Sequence, residues 1–139
     1  MPYGTDDEAR RVLTDARTWA VVGCGPGPER TAHSIARYLQ RMGKTVIPVH
    51  PAAGEAVGER VFASLSDVPV PVDVVDVFRR SDQAGVHVDE AVAAGASAVW
   101  LQLGVVDEAA AERARAAGLT VLMDRCPHLD GPRLLGWPG

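Results

Sequence analysis

Between positions 23 and 34 the chain reads Gly23-Cys24-Gly25-Pro26-Gly27-Pro28-Glu29-Arg30-Thr31-Ala32-His33-Ser34. Glycine and proline keep the first half of this stretch out of regular structure, and the second half can open a helix. Exposed backbone N–H groups and the positive end of the helix dipole then meet at one place, which suits an anion. Arg30, His33 and Ser34 add side-chain donors, and each charge-assisted hydrogen bond of this kind contributes roughly 1.5–3 kcal/mol when shielded from water. The chemistry this points to is phosphate binding; the plainer alternative is a Gly/Pro-rich turn.

Two common phosphate sites do not fit. A dinucleotide fingerprint needs a third glycine where Pro28 stands, and an acid at the end of the second strand where His50-Pro51 stands, so ordinary NAD binding is not expected. A Gly-Lys-Ser/Thr sequence that would cradle a triphosphate is absent. His33, His50, His87 and His128 have no close paired spacing with cysteine or carboxylates, so no metal site is expected. No Ser-His-Asp order is legible, and Asp73 and Asp76, three residues apart in a strand, fall on opposite faces. The sequence therefore shows no catalytic constellation.

The elements that must position this loop follow from periodicity. Thr5-Asp6-Asp7-Glu8 is a capping box, and Ala9, Val12, Leu13 and Ala16 continue it at helical spacing. A short apolar run from Trp19 to Gly23 reads as a strand buried on both faces. Ile35, Leu39 and Met42 mark a helix stopped by Gly43, and four more strands are expected at 45–49, 74–78, 98–101 and 119–123. Ser81 to Ala94 and Asp107 to Ala117 read as crossover helices, the latter with acids first and arginines later, matching the helix dipole. Alternating strands and helices imply βαβ units with right-handed crossovers. The expected fold is thus α/β: a single Rossmann-like domain over residues 1–139, a parallel five-stranded sheet with helices on both faces, and an N-terminal helix. The amphipathic tail Arg133-Leu134-Leu135-Gly136-Trp137 is expected to cover the sheet edge rather than a neighbouring subunit.

Composition narrows the classes. At 139 residues, 47% hydrophobic and 23% charged, the chain has room for one core and none for a second domain. A net charge of −4 argues against a broad nucleic-acid surface. Thirteen of the fourteen basic residues are arginines, whose planar forks suit phosphate. No membrane span or secretory leader is visible, so a cytoplasmic protein with Cys24 and Cys126 reduced is expected.

Further residues carry a resemblance. Val22-Gly23 through Pro26, Pro28-Glu29-Arg30 and His33 are followed by Val46-Ile47-Pro48-Val49, Pro51, Gly58 and Ser64-Leu65. Val72-Asp73-Val74-Val75-Asp76-Val77-Phe78-Arg79-Arg80, Val99-Trp100-Leu101-Gln102-Leu103-Gly104-Val105 and Met123-Asp124-Arg125-Cys126-Pro127 complete the set. In order and over nearly the whole chain, these resemble the stand-alone bacterial CoA-binding proteins, relatives of the CoA-binding domain of the succinyl-CoA synthetase alpha subunit. The sequence departs from the family's usual pattern at Cys24-Gly25, where a small residue and Ser are frequent, at Thr31-Ala32 in place of Pro-Ser, and at His50 in place of Asn.

The resemblance implies coenzyme A or an acyl-CoA as ligand, with its diphosphate on the 23–34 loop and its adenosine end near strands two and three. Arg30, Arg79 and Arg80 are then the local cations that an acidic protein needs for this polyanion. Phe78 packs either on the adenine or on the core, and Thr31 can serve a phosphate. Gln102 and Gly104 line the pantetheine path or form a capped turn. Cys126 stands at the same sheet end, and Cys24, nearer the phosphates, is open to activation by the helix N-terminus. Three readings follow: a non-catalytic CoA binder for sensing, storage or delivery, monomeric or homodimeric; an accessory component of an acyl-CoA ligase or transferase; and, less favoured, an NAD(P)-binding reductase module.

Overall fold

The computed structural model describes residues 3–139. The N-terminal helix α1 (Asp6–Asp15) starts with the expected capping box: Glu8 N–H donates to Thr5 Oγ1 and Thr5 N–H donates to the Glu8 carboxylate. Then come β1 (Thr18–Val22), α2 (Arg30–Arg41) and β2 (Thr45–Val49). A small hairpin, β3 (Gly54–Ala56) with β4 (Glu59–Val61), follows. The remainder is β5 (Val74–Val77), α3 (Ser81–Ala93), β6 (Ala98–Leu101), α4 (Glu108–Ala116), β7 (Thr120–Leu122) and α5 (Pro127–Leu135).

Five strands form one parallel sheet in the order β2-β1-β5-β6-β7. Strand alternation divides the core. Ala20, Val22, Val75, Val77, Val99 and Leu101 face the side packed by α3 and α4, with Val88, Ala91, Ala110 and Ala114 against them. Trp19, Val21, Val74, Ala98, Trp100 and Leu122 face the other side with α1 and α2. Alanine at the helix contacts lets helices and sheet approach closely, while the tilted Trp19–Trp100 pair, with ring centroids 5.8 Å apart, supplies bulk beneath α1.

Two elements were not expected from periodicity. The hairpin extends into Phe62, whose N–H donates to Pro48 O and whose carbonyl accepts from His50 N–H, so it covers part of the β2 edge. The C-terminal segment does not cover a sheet edge; it forms α5, which packs on α1 and α2. Its interior Gly131 and Pro132 hide it from periodicity arguments. Tertiary contacts hold it instead: Arg125 and Arg133 both donate to Asp6 and Asp130, and a Cβ at Gly131 would come within 2.7 Å of Trp137. These arginines hold Asp6 well below the usual carboxylate range.

Candidate ligand-binding site

In the order 2-1-3-4-5 among the five sheet strands, the strand order reverses between β1 and β5, and ligands of such sheets lie beyond the carboxyl ends of the strands at that point. Here β1 runs into Gly23 and β5 runs into Phe78-Arg79-Arg80. Gly23 has φ +98, and a Cβ there would lie 2.6 Å from Phe78 O, so only glycine allows the two strand ends to meet so closely.

Above this junction lies a cleft of about 440 Å³, lined by Gly23 and the α2 start (Glu29 to Ala32), by Phe78, Arg79 and Arg80, and by Gln102, Leu103, Val105 and Cys126. A second cavity of about 190 Å³ lies at the ends of β1 and β2, lined by Val22, Val49 and Leu65 and by His50, Pro51, Ser64 and His87. Gly23 and Arg79 line both.

Polar atoms without partners collect around the larger cleft. Buried polar atoms nearly always find a hydrogen bond, yet Arg79 Nε, Gln102 Oε1 and Glu29 Oε2 have none, and Gln102 is only 5% exposed. At the start of α2, Glu29 is the N-cap and makes no side-chain capping bond, so first-turn N–H groups face the cleft end of the helix. The Gln102 loop is itself fixed. Ser81 Oγ donates to Gly104 O and accepts from Val106 N–H, and Gly104 N–H donates to Asp124 at 2.7 Å.

The 23–34 loop is braced by two imidazoles. His33 Nε2 donates to Gly25 O at 2.6 Å. His50 Nδ1 accepts from Ala52 N–H, which puts the neutral ring's proton on Nε2, 3.4 Å from Glu29 Oε1. A Cβ on Gly25 would come within 2.5 Å of the His50 ring. The residues at 25 and 50 thus fit as a pair: the imidazole occupies the space a side chain at 25 would take.

The sequence-predicted site residues separate into groups. Gly23, Arg30, Thr31, Phe78, Arg79, Arg80, Gln102 and Cys126 line the larger cleft; His50 and Pro51 line the smaller cavity. Phe78 also rests against the α1/α2 core. Arg80 is exposed and pairs with Asp82. Gly25 and His33 act within the loop, and Pro26 lies beside Gly54 of the hairpin. Ser34 is exposed on α2 outside both cavities. Gly104 likewise lines neither and serves as the anchor between Ser81 and Asp124. Cys24 is fully buried, and burial together with Glu29 and Asp76 pushes its thiol up to about 11, opposite to activation by the helix N-terminus. Burial raises Cys126 as well. Sequence reasoning missed Leu103 and Val105 as lining residues, and missed His87, which comes from α3 bonded to Glu90 three residues on; that spacing was the only available sign.

Among the described residues, no group of three or more His, Cys, Asp or Glu is arranged to hold a metal ion, and no helix is long and apolar enough to cross a membrane.

Comparison with known proteins agrees with the fold. The chain is 37% identical over 119 residues to YneT of Bacillus subtilis, an uncharacterized protein, covering 86% of this chain and 88% of that one. A hypothetical protein from Pyrococcus horikoshii superposes with a TM-score of 0.90 at 34% identity, covering 98% of this chain and 96% of that one. A dinucleotide-forming acetyl-coenzyme A synthetase from Ca. Korarchaeum cryptofilum matches 86% of this chain at 26% identity and a TM-score of 0.71, over 28% of its own length. Residues 17–132 match the model of the CoA binding domain, and the chain belongs to that family.

Proposed function

We propose that the protein binds coenzyme A, free or acylated, as a non-catalytic cytoplasmic module for sensing, storage or delivery. Family membership supports CoA as the ligand. The observation that carries the detailed reading is the pair of cavities that share Gly23 and Arg79 in their linings, with Arg79 Nε buried and unpartnered. CoA has the matching shape: an aromatic base at one end, a long amide-bearing arm at the other, and a diphosphate between. In this reading the adenine enters the smaller cavity over Val22, Val49 and Leu65. The diphosphate lies at Gly23 against the α2 N-terminus and Arg79, where helix dipole and guanidinium act together. The pantetheine arm runs along Phe78, Leu103 and Val105, and Gln102 Oε1 accepts from one of its amides. Burial raises both thiols, which favours binding over reaction.

Calorimetric titration of CoA tests this. Saturable one-to-one binding that NADPH fails to displace is expected, and absence of binding at high micromolar CoA overturns it. A second reading, an accessory component of an acyl-CoA ligase, draws on the korarchaeal synthetase, in which the matched region is about a quarter of a longer chain. That reading expects an ATP-binding subunit to co-purify with the protein.

A further inference from the structure

The smaller cavity carries a hydrogen-bonding group that the fold leaves free. His87 and Glu90, one turn apart on α3, line it together with the apolar side chains of Val22, Val49 and Leu65. His87 Nδ1 lies 2.7 Å from Glu90 Oε1. A carboxylate only accepts, so Nδ1 carries the hydrogen and donates it, and Nε2 of the neutral ring keeps its lone pair. Nε2 makes no hydrogen bond among the described residues.

The other polar side chains of this lining are committed or are not acceptors. Ser64 Oγ donates to Asp67 and shares a hydrogen with Ser66 Oγ. His50 Nδ1 accepts from Ala52 N–H, and its Nε2 faces Glu29. Arg79 can only donate. Glu90 Oε1 is taken by His87, and the Glu90 side chain is more open to water, 36% exposed against 23% for His87. His87 Nε2 is therefore the better-shielded acceptor, beside an apolar surface that suits the face of an aromatic base.

We propose that His87 reads the base of the bound nucleotide: Nε2 accepts a hydrogen bond from the 6-amino group of adenine, and Glu90 positions the ring by holding its hydrogen on Nδ1. This inference rests on the reading that CoA binds with its adenine in the smaller cavity. The 6-amino group is the donor on that edge of adenine. A base with a carbonyl at position 6 sets an acceptor against an acceptor, and the ring cannot answer by moving its hydrogen to Nε2 without giving up the bond to Glu90. The cavity thus selects an adenine over a hypoxanthine nucleotide.

The test is calorimetry on the full chain at pH 8 with CoA and with deamino-CoA, its hypoxanthine analogue. Wild type is expected to bind CoA roughly tenfold more tightly than deamino-CoA, the effect of one mispaired polar contact. His87→Phe keeps a flat ring without an acceptor, and should weaken CoA by about five- to tenfold and bring the ratio of the two ligands close to one. His87→Gln, which offers a side-chain carbonyl, should recover part of the preference for CoA. Glu90→Gln can face either tautomer and should narrow the ratio. Equal binding of the two ligands by wild type, a ratio unchanged in His87→Phe, or an equal loss for both ligands in that variant overturns the inference and leaves the CoA reading standing. Absence of CoA binding by wild type overturns both.

Discussion

Asp76 offers the sharpest test of how this core is put together. It sits in the middle of β5, completely buried, opposite Val21 on β1 and Trp100 on β6. Neither carboxyl oxygen has a hydrogen-bond partner. Burial alone pushes its acid well above the usual carboxylate range. Leaving a buried polar group unsatisfied costs about 1–3 kcal/mol. Asp76→Val removes that cost and places a β-branched side chain in a central strand between apolar neighbours. The variant is therefore expected to be more stable by about 1–3 kcal/mol, which for a domain of this size raises Tm by roughly 3–10 °C. Its pH profile must change too. Because the folded-state acid is raised, Asp76 favours folding at low pH and that contribution is lost as pH rises through the raised value. The wild-type profile should slope downward from about pH 5 towards alkaline pH relative to the variant, whose curve is flatter there. Differential scanning calorimetry of both proteins from pH 5 to 9 measures both effects. A variant destabilised by more than about 1 kcal/mol, or one with an unchanged pH slope, would show that Asp76 is satisfied in the folded state and refute the reasoning.

Other perturbations separate the site from its scaffold. Arg79→Ala should weaken CoA binding by about 10- to 100-fold, the loss of one shielded charge-assisted interaction, with little change in Tm; an effect under twofold by calorimetry rules out its role between the cavities. Gly25→Ala should disorder the loop's contact with His50 and cost roughly 1–3 kcal/mol, and His50→Ala in the same chain should recover part of it, a coupling readable as a double-mutant cycle in urea. Arg125→Met leaves the buried Asp130 with only Arg133 and should destabilise by about 2–4 kcal/mol, seen as an earlier urea midpoint. Cys24 should resist iodoacetamide at pH 8 in the native protein and react readily in denaturant, as mass spectrometry of the labelled peptides would show.

The fold was legible because its strongest signals are local. A capping box, apolar runs bounded by glycine, and helices with graded charge specify α1, β1 and α4 with nothing more than neighbouring residues, and alternation then forces a parallel sheet. The positions of Gly23, Arg79 and Gln102 at strand ends, and of Arg30 at the start of α2, followed from the same logic. What stayed hidden depends on distant partners. Helix α5 contains Gly131 and Pro132 and exists because Asp6, more than a hundred residues earlier, meets Arg125 and Arg133. Gly104 proved an anchor, since Asp124 and Ser81 reach it from other elements.

By itself, then, the amino-acid order determined the main strands and crossover helices, their parallel arrangement and the Gly/Pro-rich loop between β1 and α2, since periodicity and backbone preference act within a few residues. Tertiary structure alone decided which groups are left without partners: the Asp76 acid in the core, Arg79 Nε between two cavities, and Oε2 of the Glu29 carboxylate, which is set between two imidazoles. Desolvation and hydrogen-bond satisfaction depend on everything that packs around an atom, and no local pattern along the chain records them.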